Sequence, residues 1–241
     1  MSPLVAQTRA EVTQVLRNGE QLLLTLGIPV LLLVFFSLVD VLPTGTAEPI
    51  DFLAPGIMSL AVMSTAMVSL GIATGFERSY QVLKRLGATP LGRRRLVIAK
   101  IAAVVVVEVV QLAVLVPVAL LLGWSPGGAR WLAAIAGVVL GTVAFAGLGL
   151  TLAGRLRGEV NLAAQNGLYL VLLLLGGMVI PFAELPWLLE AVARVLPSGA
   201  LANVVRESLA GGTEWVVLSW VVLATWAAIT PAVAARWFRW E

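Results

Sequence analysis

Residues 96–122 read LVIAKIAAVVVVEVVQLAVLVPVALLL, with one lysine and one glutamate in an otherwise almost wholly apolar run. A bilayer-crossing helix needs about 20 mostly apolar residues, and this run exceeds that. It does not alternate apolar and polar residues as a strand of a membrane barrel does. Backbone polar groups in lipid must be satisfied within the segment, so the run reads as a helix. Outward from it, residues 22–39, 52–75, 131–153, 162–182 and 215–235 qualify in the same way, giving six expected spans.

The composition agrees. The chain has 241 residues, 60% hydrophobic and 12% charged. A soluble domain is typically about 45–50% apolar and about 25% charged. The fold class expected is an all-α integral membrane protein, one transmembrane domain over residues 1–241. The first apolar run follows some twenty mixed residues, which does not match a signal peptide, so it is expected to stay in the mature chain. Residues 1–21 place Leu4, Val5, Val12, Val15 and Leu16 on one side of a helix and Gln7, Glu11, Gln14, Arg17 and Asn18 largely on another. They read as an amphipathic helix on the membrane surface, or as a solvated lead-in, ahead of a six-span bundle over 22–235. Cysteine and histidine are absent, which excludes disulfides and thiolate metal sites and removes the commonest metal ligand. No metal or cofactor site is expected in this chain.

The basic residues set the orientation. With the N-terminus inside, Arg9, Arg17, seven residues of 76–100, Arg155, Arg157, Arg236 and Arg239 lie inside. Arg130, Arg194 and Arg206 lie outside. Both termini are therefore expected in the cytoplasm, in a multi-pass protein of the cell (plasma) membrane. The net charge of +3 follows this asymmetry, so no nucleic-acid partner is implied. Between spans five and six, residues 181–212 are too polar to span. Trp187, Leu188, Ala191, Val192 and Val195 recur at helical spacing, with Pro186 suiting a start and Pro197 a stop. A short helix dipping into the outer leaflet is expected there.

The densest charge lies between spans two and three, in FERSYQVLKRLGATPLGRRRLVIAK, residues 76–100. Residues 77–86 can form a short cytoplasmic helix. Tyr80, Leu83 and Leu86 recur on one face, and Gly87 and Pro90 supply stop signals. Arg93, Arg94, Arg95 and Lys100 sit where the next span enters the membrane, placed to bind anionic headgroups at about 1 kcal/mol each. Membrane lipids are thus expected partners. Orientation and anchoring do not explain the apolar stripe. A short helix with an apolar face and a basic flank calls for a partner groove.

This loop resembles that of the type-2 ABC exporter permeases, the membrane-spanning subunits of drug, lipid and polysaccharide exporters. Their pattern runs approximately E-R-x-x-G-x-L-x-x-L-x-x-T-P-L. Glu77, Arg78, Leu83, Leu86, Thr89, Pro90 and Leu91 stand at its places, and Gln81 replaces the glycine. The amphipathic N-terminal helix, six spans and outer helix extend the resemblance over the chain. It implies a coupling helix over residues 77–90, contacting a separate ATPase subunit through Glu77, Arg78, Tyr80, Leu83, Leu86, Thr89 and Pro90. ATP and Mg²⁺ would then be held by that ATPase. The sequence contains no G-x-x-x-x-G-K-[ST] phosphate loop. The resemblance further implies a non-enzymatic transport subunit working outward as a dimer with a second permease, identical or different. The apolar spans suggest an amphiphilic, lipid-like or drug-like cargo.

Polar residues inside the spans are the remaining candidates. Glu108 is the only acidic residue deep in a span, and Gln111 lies three positions on. A charge at mid-bilayer costs at least a few kcal/mol, so the carboxyl must face protein or water, or be protonated. It reads either as a pathway or permease–permease contact, or as a structural hydrogen bond to a neighbour such as Asn161, Gln165 or Asn166. Those three either line an inner gate or satisfy one another. Gly137 and Gly141 form a G-x-x-x-G read as tight helix packing. Pro29, Pro117 and Pro231 are expected to kink their spans. The alternative functions are an ion-coupled secondary transporter with Glu108 as proton carrier, and a non-transporting scaffold.

Overall fold

The computed structural model describes residues 3–39, 49–87, 89, 92–210 and 216–237. Among these there is no strand. Helix α1 is Pro3–Arg17, and Asn18 separates it from α2, Gly19–Leu38. The next column is one long rod of α3 (Pro49–Met63), a π-helical segment (Ser64–Ser69) and α4 (Leu70–Ser79). A short α5, Val82–Gly87, leads to α6, Gly92–Leu121. Then come α7 (Trp131–Ala153), α8 (Gly158–Leu175), a 3-10 turn (Phe182–Glu184), α9 (Trp187–Val195), α10 (Pro197–Leu209) and α11 (Val217–Trp237). Helices α2, α6 and α11 run continuously through Pro29, Pro117 and Pro231.

Five helical stretches are long and apolar enough to cross a membrane: Pro49–Ser79, Arg95–Leu121, Trp131–Ala153, Gly158–Leu175 and Val217–Trp237. The first expected span falls on α2, which carries the shorter apolar stretch Leu23–Leu38. The fifth span ends seven residues before its expected limit, at Leu175 rather than 182. Gly176 and Gly177 follow, and Gly177 takes φ +61°, a left-handed conformation that glycine adopts without a Cβ clash. The short helix expected between Pro186 and Pro197 coincides with α9, and a second helix that was not expected, α10, follows it at a bend of 81°. Counted as one broken span, the pair would bring the total to six. Pro197 is the cause. It pushes Leu196 into an extended conformation (φ −80°, ψ 147°), which stops α9, and its own fixed φ then starts α10.

The rod α3–α4 is the most buried element, packed by α2, α6, α7, α8 and α10. Helix α10 is buried along most of its length, from Pro197 to Leu209. It lies on the G-x-x-x-G of α7: a Cβ on Gly141 would come 2.8 Å from Leu201 Cδ1, and one on Gly137 2.5 Å from Val204 Cγ1. Farther along α7, a Cβ on Gly147 would lie 2.6 Å from Pro231 N of α11, while Thr230 Oγ1 donates to Ala144 O at 2.7 Å. The small residues of α7 thus let two neighbours reach van der Waals contact with its backbone, which is how helices associate where lipid supplies no hydrophobic drive. Arg206 of α10 is accommodated by donating to Gly177 O (2.9 Å) and by lying 3.9 Å over the Phe52 ring.

The obstacle facing Gly147 is backbone, which cannot rotate away. Gly147→Val should overpack the α7–α11 seam by roughly 1–3 kcal/mol and lower the unfolding temperature in detergent. Gly167→Ala, where nothing lies within 4 Å of the added carbon, should leave it unchanged or raise it slightly.

Candidate functional site

Lys100 decides how the α5 end of the bundle is built. It lies on α6 about 7.5 Å along the axis from Arg95, where the apolar stretch begins. Its side chain is 2% exposed, so it does not reach a headgroup layer as the sequence led one to expect. Nζ lies 2.7 Å from Glu77 Oε2 and 3.0 Å from Glu11 Oε1. Gln7 Nε2 adds a donor to Glu11 at 2.8 Å. An ammonium in an apolar setting is tolerated only when its protons are all used, and two carboxylates from distant elements use them. Glu11, expected on the polar face of α1, therefore turns inward and pins α1 to α6. Arg95 is exposed. The side chains of Arg93 and Arg94 lie outside the described residues.

Beside this pair, Arg78 points across the bundle. Its Nη1 donates to Ala153 O (3.3 Å) and Leu156 O (3.2 Å), carbonyls at the end of α7. A basic side chain there satisfies groups that a helix C-terminus leaves open. Helix α8 joins through amides. Asn161 Nδ2 donates to Gly71 O at 2.9 Å, and Gln165 Nε2 donates to Gly149 O at 2.9 Å and to Asn161 Oδ1 at 3.3 Å. The glycines permit it, since a Cβ on Gly71 or Gly75 would overlap the Gln165 or Asn161 amide. Asn166 is not part of this group. It is exposed and bonds back to Leu162 O on its own helix. The foot of α4 is thereby tied at once to α1, α6, α7 and α8.

The elbow between α4 and α5 projects from that foot. Tyr80 is 70% exposed and stacks on Phe76. Val82, Lys84, Arg85 and Thr89 are also exposed. Leu83, expected on the same outward stripe as Tyr80, is instead fully buried, and Leu86 is partly buried against the core. The stripe splits because Gln81 interrupts the helix. Gln81 has φ +62°, the one non-glycine residue in the left-handed region among those described. Its place is where the exporter pattern has glycine. Pro90 lies outside the described residues.

Deeper in the bundle, Glu108 and Gln111 part company. Gln111 accepts from Thr65 Oγ1 (2.9 Å) and donates to Thr25 O (2.8 Å), binding α6 to the π segment and to α2. Both its ends serve its own chain. Glu108 Oε2 takes a 2.6 Å contact from Thr142 Oγ1 of α7 and meets none of Asn161, Gln165 or Asn166. It borders a cavity of about 540 Å³ between α6, α7 and α10. Thr142, Thr65 and the glycine partners of α8 carried no signal in the sequence, because which helices adjoin is not written in any one of them.

Two consequences are measurable. Lys100→Met leaves two carboxylates buried together and should cost roughly 3–5 kcal/mol, read as a large fall in detergent unfolding temperature. Glu11→Gln should cost much less, since Lys100 keeps Glu77. Gln81→Gly relieves a left-handed residue worth roughly 1–2 kcal/mol, partly offset by the greater freedom of glycine when unfolded, and should raise the unfolding temperature.

Comparison with known proteins agrees with this architecture. The chain is 29% identical over 221 residues to YvfS of Bacillus subtilis (strain 168), a protein that carries the name of a transport permease; the match covers 88% of each chain. The family model described as "ABC-2 type transporter" matches residues 4–209, from α1 through α10. The chain is a multi-pass membrane protein that belongs to the ABC-2 type transporter family.

Proposed function

We propose that the chain is the permease subunit of an ATP-driven exporter, moved by a separate ATPase subunit docked on the elbow of residues 77–90. The observation that carries this reading is the contrast between the two sides of the elbow. Tyr80, Val82, Lys84 and Arg85 face outward, and Glu77 and Arg78 are held inward by Lys100 and by the end of α7. A partner that moves the exposed side must move the foot of α4, and with it the helices tied there. Packed helices respond to such a push as rigid bodies, by tilting. Family membership supports an ABC ATPase as the partner. ATP and Mg²⁺ are then held by that subunit, and this chain contributes coupling rather than hydrolysis.

Three finer parts have narrower support. Outward direction rests on the resemblance of the loop to export permeases. A second permease subunit rests on the six spans expected from the sequence, half of what the resembling exporters use. The basic residues gathered at the α5 end support a cell-membrane placement with both termini in the cytoplasm and α1 lying along the inner surface. The ion-coupled alternative is weaker, because among the described residues Glu108 is the only titratable one lining its cavity.

The test uses mild-detergent purification of the tagged chain from its host. Tyr80→Ala with Val82→Ala should cut the co-purifying nucleotide-binding subunit by roughly tenfold or more, as loss of an interface aromatic does, without shifting the unfolding temperature. Leu83→Ala, by contrast, should lower the unfolding temperature by creating a cavity worth about 2–5 kcal/mol. Absence of any nucleotide-binding protein from the wild-type preparation, under several gentle conditions, would remove the main support for the proposal.

A further inference from the structure

The cavity between α6, α7 and α10 has a chemistry the docking elbow does not explain. Its volume of about 540 Å³ falls within the range of small-molecule sites. The lining is mostly aliphatic, from Met58, Val105, Leu112, Ala134 and Val138 among others, and among the described residues Glu108 supplies its only ionisable group. Val109 and Ile135 also line it and are more than half exposed, so its mouth opens on the side of the bundle. In a membrane-embedded chain, an opening at that depth is level with acyl chains. Glu108 lies near the middle of the span Arg95–Leu121.

The hydrogen count at Glu108 specifies what the cavity lacks. The carboxyl is 3% exposed. Thr142 Oγ1 lies 2.6 Å from Glu108 Oε2 and 2.8 Å from Val138 O. A hydroxyl has one hydrogen, so it serves both neighbours only if the carboxyl donates to it; otherwise it donates to one of them. When the carboxyl is ionised, or carries its proton on Oε2, the second oxygen, Oε1, is an acceptor, and it has no hydrogen-bond partner among the described residues. A buried acceptor left open is costly, and an acyl chain filling the cavity would leave it open. A ligand whose head donates a hydrogen bond would close it.

We propose that this cavity is an intramembrane binding site for a lipophilic amine, its N–H donated to Glu108 and its hydrocarbon tail lying against α6 and α7. The inference names the cargo chemistry of the exporter reading and rests on that reading. An ammonium N–H on a carboxyl oxygen makes a short, charge-assisted bond in a setting of low dielectric. Entry from the bilayer suits a cargo that partitions there first. Thr142 acts as a positioning residue, holding Oε2 so that Oε1 remains free.

The test is saturable binding of radiolabelled dodecylamine to the full chain in phosphatidylcholine nanodiscs, with empty nanodiscs subtracted and neither nucleotide nor ATPase added. Wild type should bind it at one site per chain, and excess dodecyltrimethylammonium, a cation with no N–H, should compete at least tenfold more weakly than dodecylamine. Glu108→Leu should weaken binding at least tenfold. Glu108→Gln should weaken binding less than Glu108→Leu does, because its amide oxygen still accepts although the charge is lost. Val139→Trp, at a partly exposed lining position that can take a larger side chain without disturbing the core, should block the site at unchanged unfolding temperature. Binding no greater than in empty nanodiscs, or unchanged by Glu108→Leu, would overturn the proposal. So would binding lost in Val139→Trp but kept in Glu108→Leu, which would mark an acyl-chain groove. Because no nucleotide enters the assay, failure here leaves the docking elbow untouched, and failure of ATPase capture leaves this result standing.

Discussion

A lysine ammonium held inside an apolar bundle by two carboxylates is the constraint around which this chain is organised. The Lys100 side chain is almost fully buried, and its ammonium is taken up by Glu11 and Glu77. Those residues come from an N-terminal helix and from the foot of the longest rod. The requirement converts three segments distant in sequence into one rigid corner. Once Glu77 is placed, Arg78 next to it faces the opposite way and reaches the carbonyls closing α7. The elbow that follows inherits its direction from this corner.

The rest of the bundle is held by closeness rather than by charge. Glycines at 71, 75, 137, 141, 147 and 149 are places where a neighbouring helix arrives at backbone distance. At the first two, the space is taken by amides that bond to backbone carbonyls of α4 and α7. Polar side chains in the membrane thus serve as crosslinks whose partners are main-chain atoms. Short hydrogen bonds and close dispersion contacts replace the hydrophobic drive that lipid cannot give.

The apolar runs were legible because 20-residue apolar runs have few other uses; five of the six fall on helices long and apolar enough to cross a membrane, four of them within a few residues of the expected bounds and the fifth ending seven residues early. What the sequence hid were pairings. Lys100 in LVIAK reads as a headgroup anchor, since nothing local announces Glu11 eighty-nine positions earlier. Helix α10, PSGALANVVRESL, lies in the segment read as too polar to span, because its serines, asparagine, arginine and glutamate suggest water. It is buried nonetheless: Arg206 finds a carbonyl and an aromatic ring, and small residues meet the glycines of α7. Tyr80, Leu83 and Leu86 look like one stripe at helical spacing. One left-handed residue at Gln81 breaks the phase between them, and no periodicity count can foresee a dihedral angle.

The π segment Ser64–Ser69 shows what phase is worth in the other direction. A π turn accommodates an extra residue in a helix that otherwise advances about 100° per residue. Above it, α3 presents one set of faces to α2 and α10; below it, α4 presents another to α7 and α8. The segment acts as a gear offset between the two halves of a single rod. Its length is therefore an inherited setting: a chain shortened by one residue there would keep every side chain of α4 and yet swing Glu77 about a quarter-turn away from Lys100. Substitutions along this rod can be absorbed one at a time, whereas a change in residue count would alter the alignment of the whole lower half at once.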